Sequence, residues 1–366
     1  MISVLISLFL TLYIVWLVVM QVAWLKLTQK TSLKVESKPK LRYSIIIPAR
    51  NETDTIERVI SAIKRNEFPR SNYEVILVDD HSEDDTYEKA QQFGNDIICV
   101  RLQENSGKKA ALATGIDIAQ GDVIITTDAD CIVSEKWLSS IANFFEGGEV
   151  KLLSGAVGFN PLPKIFDKLQ AIEFSSLVGV GASSIYLRKP GMCNGANLAF
   201  LKAAYKEVGG YSDNLDIASG DDEFLMHKIA NYDPHSIYFN INPDGVVYTN
   251  AQSNLNHFIQ QRKRWASKWT RYKDWRQSLL AVFIGLSNVA VLAGIWHAIL
   301  GDFTIMILLF LKLVLEVTYL KSVLMFLNTK VSWVYFILIQ IIYPFYVVYF
   351  VVVANLAGYK WKGRSY

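Results

Sequence analysis

Two common nucleotide-binding signatures are missing from this sequence, and cysteine is scarce. Neither Gly-x-Gly-x-x-Gly nor Gly-x-x-x-x-Gly-Lys followed by Ser or Thr occurs in the 366 residues, which argues against NAD-dependent and P-loop chemistry. The three cysteines, Cys99, Cys131 and Cys193, form neither an even disulfide framework nor a spaced set of metal ligands. Such cysteine use is consistent with a reducing cytoplasm.

Apolar residues, by contrast, are abundant and unevenly distributed. They make up 51% of the chain, and the mean hydropathy of +0.22 is high for a wholly soluble protein. Residues 2–25 are almost uninterrupted apolar sequence, and about 20 helical residues suffice to cross a bilayer core. No basic segment precedes this run and no small-x-small cleavage site follows it, so we expect a membrane anchor and not a cleaved signal peptide.

Three further apolar blocks, 279–300, 303–327 and 331–358, lie toward the other end of the chain. The intervening residues 41–278 have mixed polarity and are numerous enough for one sizeable core. We therefore expect an N-terminal transmembrane helix over 1–26, a soluble domain with interfacial helices over 41–278, a C-terminal membrane region over 279–358 with about three spans, and a basic tail over 359–366.

Basic residues beside the spans predict the orientation. A group of them follows the first span and none precedes it: Lys26, Lys30, Lys34, Lys38, Lys40 and Arg42. A second basic cluster, within 262–276, directly precedes the second span. Because Lys and Arg favour the cytoplasmic side, we expect an inner or plasma membrane protein with a cytoplasmic soluble domain. Three complete spans would place the tail outside, so either Pro344 breaks the last block into two shorter pieces or the rule is violated here.

The soluble domain alternates strand and helix patterns. Runs of β-branched residues over 43–48, 74–78 and 97–102 predict strands, and helices are expected over 53–66 and after Lys109. A further strand leads to Asp128 and Asp130. This order predicts an α/β domain with a mostly parallel sheet in three layers and with ligand contacts at the carboxyl ends of the strands.

A polar cluster follows each of these strands. The clusters are 50–52, 79–81, 105–109, and the pair Asp128 and Asp130. Each alone is explained by a helix cap or a solvated loop. Together, at one sheet edge, they supply carboxylates for a hard cation and lysines for phosphate or base contacts, which describes a nucleoside diphosphate site.

Six motifs occur in the order found in one family: Ile47-Pro48-Ala49-Arg50-Asn51-Glu52, Val78-Asp79-Asp80-His81-Ser82, Asn105-Ser106-Gly107-Lys108, Thr127-Asp128-Ala129-Asp130, Gly220-Asp221-Asp222-Glu223 and Gln261-Arg262-Lys263-Arg264-Trp265. The sequence thereby resembles the membrane-bound enzymes of glycosyltransferase family 2, in the branch of the hyaluronan, chitin and poly-N-acetylglucosamine synthases and ceramide glucosyltransferase. The resemblance covers the whole soluble domain.

This resemblance implies a GT-A fold and an inverting hexosyl transfer from a nucleoside diphosphate sugar, usually a UDP-sugar. It places six residues in the nucleoside pocket: Pro48, Asn51, Glu52, Asp79, Asp80 and Lys108. Among these, Asp79 is expected to contact the nucleobase. Asp128 is expected at the ribose or the sugar, and Asp130, with Asp128 beside it, at Mg²⁺ or Mn²⁺.

An inverting transfer also needs one base that deprotonates the acceptor hydroxyl. We expect Asp222 to be this base, with Asp221 and Glu223 as local competitors. The alternative interpretation of Asp222 is an N-cap of the helix that follows.

Two more segments have alternative interpretations. Residues 256–275 are basic with many aromatic residues, which is typical of a helix on a membrane surface. The resemblance adds roles there for Gln261, Arg264 at the diphosphate and Trp265 at the acceptor. Residues 165–174 predict either another surface helix or a buried core helix, and 193–197 either a turn near the acceptor or only a turn.

The acceptor is the least determined partner. Four candidate spans are few for a polymer channel, so we favour transfer to a membrane lipid or another hydrophobic acceptor over a processive synthase of a β-linked exopolysaccharide. A different class, a non-catalytic membrane scaffold or transporter with a nucleotide-sugar-binding domain, is disfavoured because the main charges in the spans, Lys312 and Glu316, can pair at i,i+4 spacing. No nucleic-acid partner is expected, and the oligomeric state is open.

Overall fold

The computed structural model describes residues 1–29, 39–103, 106–212, 220–267, 275–353, 360–361 and 364–365. The chain forms two compact units. The helical unit comprises Met1–Lys26, Leu162–Ser183 and Ala251–Tyr366, and the sheet unit comprises Leu27–Pro161 and Ser184–Asn250.

The sheet unit is built on seven strands in the spatial order β3-β2-β1-β4-β7-β5-β8. They are β1 Tyr43–Ala49, β2 Tyr73–Asp79, β3 Ile98–Arg101, β4 Val123–Thr126, β5 Leu152–Ser154, β7 Leu198–Leu201 and β8 Ile237–Phe239. The strands β3, β2, β1 and β4 are parallel, whereas β7 runs antiparallel to both β4 and β5. A second, two-stranded sheet pairs β6 Val157–Phe159 with β9 Val247–Thr249. The predicted α/β class with a mostly parallel sheet is confirmed.

Hydrophobic pattern explains why these segments form strands and helices. In β1, Ile45, Ile46 and Ile47 are consecutive and fully buried, as expected for a central parallel strand covered on both faces. The helices of this unit are α2 Ile56–Lys64, α3 Thr86–Gln91, α4 Lys108–Ile118, α5 Trp137–Phe145, α7 Lys202–Glu207 and α8 Asp221–Tyr232. Helix α4 approaches β1 closely at Gly115, where a Cβ atom would lie 2.6 Å from the Ile46 side chain.

The helical unit consists of α1 Ile2–Thr28, α6 Ile165–Tyr186, α9 Leu255–Ala266, α10 Trp275–Ile299, α11 Phe303–Phe326 and α12 Trp333–Val353, with two short strands in the tail, β10 Lys360–Trp361 and β11 Arg364–Ser365. Among the described residues, four helices are long and apolar enough to cross a membrane: Ile2–Thr28, Trp275–Ile299, Phe303–Phe326 and Trp333–Val351.

Two sequence interpretations are corrected or decided in this unit. Helix α12 continues through Pro344, so the interpretation in which this proline splits the last block into two pieces is wrong. Neighbouring helices make proline tolerable inside a membrane span. In α6 the polar residues Asp167, Gln170 and Glu173 are buried, which favours the buried helix over the surface helix for 165–174.

A polar cluster joins three of the long helices. The expected pair is present: Lys312 Nζ lies 2.8 Å from Glu316 Oε2. The Tyr13 hydroxyl donates to Glu316 Oε1 (2.8 Å), and Lys312 also donates to Gln340 Oε1 (2.7 Å). Because both charged side chains are buried and paired, the cluster ties α1, α11 and α12 together.

Candidate active site

The strand register brings the predicted polar residues to one edge of the sheet. Asp79, the last residue of β2, lies opposite Ala49 of β1 and opposite Arg101 of β3. In the neighbouring pair, Thr126 of β4 lies opposite Ile46 of β1. The segments that follow β1, β2 and β4 therefore leave the sheet side by side, as expected from the strand order.

Asp79 is the most buried of the predicted donor-site residues, with 0% of its surface exposed. Its Oδ2 accepts hydrogen bonds from Arg101 Nε (3.1 Å) and from the Ser82 backbone N–H (3.3 Å). Its Oδ1 is buried and has no hydrogen-bond partner among the described residues. A buried acceptor left unpaired costs about 1–3 kcal/mol, so this oxygen marks a place where a ligand N–H or O–H would be stabilising.

The loops after β1 and β2 hold each other in place. The Asn51 backbone N–H donates to Ser82 Oγ (3.0 Å), and Asn51 Oδ1 accepts from the Glu83 backbone N–H (2.9 Å). The Glu52 backbone N–H donates to Thr86 Oγ1 (2.7 Å). These bonds fix the shape of the edge beside Asp79, whereas the N-cap residues of α2 and α3, Thr55 and Asp85, make no cap hydrogen bond with their side chains.

Two residues of these loops have a left-handed backbone. Asn51 has φ 52° and His81 has φ 57°, and such conformations cluster at ligand sites because the surrounding structure must hold them in place. Asp80 is buried, and its Oδ1 lies 3.2 Å from His81 Nδ1. Pro48, the last of the predicted nucleoside-pocket residues, is half-buried in β1.

Asp128 and Asp130 lie on either side of the buried Ala129 and have different partners. Asp128 Oδ1 accepts from Lys108 Nζ (2.6 Å), whereas Asp130 Oδ2 accepts from the Thr249 hydroxyl of β9 (3.0 Å). Burial, followed by the charges of Asp130 and Asp128, raises the pKa of the Cys131 thiol well above its usual value. The thiol of Cys131 is therefore neutral and does not act as a metal ligand. The remaining candidate ligands, Asp128 and Asp130, offer hard carboxylate oxygens.

These oxygens fit a hard divalent cation. Within the described residues, no three His, Cys, Asp or Glu side chains gather as a metal site. Two carboxylates plus oxygens from a diphosphate or from water match the coordination that Mg²⁺ ordinarily takes in phosphate chemistry.

Lys108 joins the β4 edge to the start of α8. Its Nζ lies 4.0 Å from Asp221 Oδ2 in addition to its contact with Asp128. Burial alone would lower the pKa of Lys108, but Asp128 and Asp221 raise it above its ordinary value, so this side chain is an ammonium. Burial raises the pKa of Asp221, Lys108 opposes this, and the charge of Asp222 adds to the rise.

Asp222 is the most accessible of the three consecutive carboxylates at this helix start. Asp221 and Glu223 are buried, whereas Asp222 is partly exposed. Its Oδ2 accepts a hydrogen bond from the Gly195 backbone N–H (2.8 Å) and its Oδ1 from the Glu223 backbone N–H (2.8 Å). The N-cap of α8 is Gly220, so the interpretation of Asp222 as that cap is wrong.

The glycine- and amide-rich turn lies against these carboxylates. A Cβ atom on Gly195 would be 3.1 Å from Asp221 Oδ2 and 3.6 Å from Asp222 Oδ2. Asn197, the last residue of the turn, holds it in place, since its side-chain nitrogen donates to the carbonyls of Ala156 and Gly245, both at 2.8 Å. The predicted turn is therefore present and bounds the acidic cluster.

The turn of residues 193–197 was predicted from the sequence, but the hydrogen bond from its Gly195 N–H to Asp222 was not. Thr249 and Arg101 were not predicted either, because a lone threonine or arginine on a strand gives no signal. Two residues of the quoted motifs and their flanks, Asn105 and Ser219, lie outside the described residues.

Gln261, Arg264 and Trp265 lie on α9 in the helical unit, where the Asn254 side chain caps the helix by accepting from the His257 N–H (2.9 Å). The Trp265 ring packs against Phe174 of α6 with 5.9 Å between centroids. The rest of the basic stretch, 268–274, lies outside the described residues.

Comparison with known proteins agrees with this architecture. The model of the family "Glycosyl transferase family 2" matches residues 44–209. Glycosyltransferase AglE of Haloferax volcanii is 35% identical over 119 residues, which is 32% of this chain and 39% of that protein. A poly-beta-1,6-N-acetyl-D-glucosamine synthase of Staphylococcus aureus is 29% identical over 230 residues, which is 61% of this chain and 53% of that protein. The matches thus span about half of these relatives' length or less.

A solved structure shares the fold. The mannosyltransferase PcManGT from Pyrobaculum calidifontis, in complex with GDP-Man and Mn²⁺, superimposes with a TM-score of 0.59 at 19% identity and covers 93% of this chain and 98% of that one. The predicted GT-A architecture is confirmed.

Proposed function

We propose that this chain is an inverting glycosyltransferase. The premise is that residues 44–209 match the family model "Glycosyl transferase family 2" and that the chain has the GT-A fold. It moves a sugar from a nucleoside diphosphate sugar, preferably a UDP-sugar, to a hydroxyl of a membrane lipid or other hydrophobic acceptor. The observation that carries the proposal is the cluster of Lys108, Asp128, Asp221 and Asp222 at the carboxyl end of β4.

The donor binds at the edge formed by the loops after β1 and β2. Asp79 Oδ1, buried and without a protein partner among the described residues, accepts the N–H of the nucleobase. Pro48, Asn51, Glu52 and Asp80 shape the pocket around the nucleoside. The mutual hydrogen bonds of the two loops preorganise this pocket, so little ordering remains to be done when the donor binds.

Asp130, with Asp128 beside it, would hold Mg²⁺ or Mn²⁺, and Asp128 faces the ribose or sugar. When bound, the cation supplies charge stabilisation for the leaving diphosphate. The Thr249 hydroxyl orients the Asp130 carboxylate. Lys108 keeps the neighbouring carboxylates from repelling one another and the donor.

Asp222 is the general base. Its carboxylate takes the proton of the acceptor hydroxyl while that oxygen attacks the anomeric carbon, and the bond from that carbon to the diphosphate breaks on the opposite face. The nucleoside diphosphate leaves with the electron pair, and the new glycosidic bond has inverted configuration. The Gly195 and Glu223 N–H groups hold both oxygens of Asp222 and thereby fix its direction.

Arg264 binds the diphosphate, and Gln261 and Trp265 contact the acceptor. Support for an acceptor at the membrane comes from α9 itself, which belongs to the same unit as the four long apolar helices and packs on one of them through Phe258 and Tyr346, 5.9 Å apart. With the basic residues beside the spans, this favours a cytoplasmic site at an inner or plasma membrane.

A second function has its own support. Similarity to the S. aureus polysaccharide synthase favours processive synthesis of a β-linked polymer. The family domain favours an enzyme over the scaffold or transporter interpretation.

The test uses membranes that contain the full chain, incubated with a panel of labelled UDP- and GDP-sugars and native lipid, followed by mass spectrometry. An organic-extractable glycolipid supports the proposal, whereas a high-molecular-weight water-soluble polymer supports the second function instead. Absence of turnover with every donor would refute both.

A further inference from the structure

Arg262, which lies between the assigned residues Gln261 and Arg264, makes a buried two-point ion pair with Glu173. Arg262 Nε donates to Glu173 Oε1 at 3.1 Å, and Arg262 Nη2 donates to Glu173 Oε2. Only 4% of Arg262 and 8% of Glu173 is exposed. This pair connects α9 to α6 across 89 residues of sequence.

A third helix joins the pair. The Tyr346 hydroxyl of α12 donates to Glu173 Oε1 at 2.9 Å. Glu173 therefore receives both the guanidinium of α9 and the phenol of a candidate membrane span.

The same guanidinium contacts both residues that we assign to the acceptor. Its centre lies 4.2 Å from the centroid of the Trp265 ring and 4.5 Å from that of Phe258. Its Nη1 donates to Gln261 Oε1. Phe174, the residue after Glu173, packs against Trp265.

Stability alone is a poor explanation of this arrangement. Replacing a buried ion pair by apolar side chains of similar volume is often neutral or stabilising. Two parallel hydrogen bonds between a guanidinium and a carboxylate, however, fix the orientation of both side chains. A stacked planar guanidinium with a bidentate carboxylate is a site where Lys does not substitute for Arg.

We propose that Glu173, Arg262 and Tyr346 are positioning residues that hold the side chains of Gln261 and Trp265 in the geometry needed for the acceptor. The acceptor role of those two residues rests on the proposed function. Through Tyr346, the position of α12 sets the geometry of the acceptor side chains.

The kinetic test uses the purified full chain in nanodiscs. Arg262→Lys and Glu173→Gln raise the KM for the acceptor about tenfold, and Tyr346→Phe raises it about threefold, because small misplacements at a positioned group are costly. The KM for the nucleotide sugar and the rate of donor hydrolysis stay as in the parent. Tyr349→Phe, an exposed tyrosine on the same helix, is the matched control and changes neither. A lowered melting temperature with an unchanged acceptor KM would mean a structural role only.

A second readout does not depend on turnover. In protein labelled with 5-fluorotryptophan, the ¹⁹F resonance of Trp265 is assigned by its loss in Trp265→Phe. It shifts or broadens in Glu173→Gln and Arg262→Lys and is unchanged in Tyr349→Phe. An unaltered resonance in both variants overturns the positioning role. A shifted resonance in a protein that transfers no sugar leaves positioning intact and counts against the proposed function.

Discussion

The backbone N–H of Gly195 donates a 2.8 Å hydrogen bond to Oδ2 of Asp222. This bond links the turn before β7 to the first turn of α8. It leaves Asp222 partly exposed while the flanking Asp221 and Glu223 are buried. Of the three carboxylates at this helix start, Asp222 is therefore the one that a substrate can approach most readily.

Gly195→Ala tests this link. A methyl group there would be 3.1 Å from Asp221 Oδ2 and 3.4 Å from Asp222 Cβ. The first distance is tighter than ordinary van der Waals contact, so the turn and the start of α8 must shift apart by a few tenths of an ångström. We expect kcat to fall about tenfold, since a misplacement of about 1 Å can cost about 100-fold and this shift is smaller. The KM for the donor changes little. Gly147→Ala, where the added Cβ would be 3.6 Å from the nearest atom, is the control.

Thr249→Val removes the hydroxyl that orients Asp130 without changing the side-chain volume much. We expect the concentration of Mn²⁺ that gives half-maximal activity to rise about tenfold, as is usual when a partner of a metal ligand is lost. Titration of activity against Mn²⁺ measures it, and Thr249→Ser, which keeps the hydroxyl, restores the parent value. An unchanged Mn²⁺ dependence would remove Asp130 from the metal site.

The polar cluster of Tyr13, Lys312, Glu316 and Gln340 predicts that substitutions of Lys312 and Glu316 have non-additive effects. Lys312→Met leaves Glu316 buried without its cation and lowers the free energy of unfolding by on the order of 2 kcal/mol, between the values for soluble ion pairs and for bonds in membranes. Adding Glu316→Gln removes the unpaired charge and recovers most of the loss. Thermal unfolding of all three variants in detergent completes the cycle. Strictly additive losses would show that the two charges do not interact.

Cys99 reports on the interior beside Asp79. Burial, with the Asp79 charge adding to it, raises the pKa of this thiol to about 11 from 9.0. Since only the thiolate is alkylated, its rate of reaction with iodoacetamide should keep rising up to about pH 11, whereas Cys99 in urea-unfolded protein levels off near its ordinary pKa. Peptide mass spectrometry at a series of pH values measures both. Identical profiles would contradict the raised pKa.

Part of this architecture is accessible from sequence because it depends on local pattern. The run Ile45, Ile46, Ile47 predicts a buried central strand, and polar residues directly after such strands must meet at one edge of a parallel sheet. The strands β1, β2 and β4 and the polar segments that follow them were predicted in this way. The long apolar helices were found because hydrophobic length is itself the signal.

The rest depends on partners that are distant in sequence. Thr249 meets Asp130 across 119 residues, and Arg262 meets Glu173 across 89, and no local pattern specifies either contact. The charges of α6 suggested a surface helix as readily as a core helix, because burial of Glu173 becomes favourable only once Arg262 is beside it. Local pattern also left two alternatives open at Pro344, and the one in which this proline breaks the last block is wrong because α12 continues through it.

The most direct test of the central claim is the transfer of label from a UDP-sugar into lipid by Asp222→Asn. The amide cannot accept the proton of the acceptor hydroxyl but has nearly the same shape, so the Gly195 hydrogen bond to the remaining oxygen can persist. We predict that transfer by Asp222→Asn membranes falls at least about 1,000-fold, with binding of the UDP-sugar retained. Transfer at the parent rate would contradict the assignment of Asp222 as the base and with it the mechanism proposed for this site.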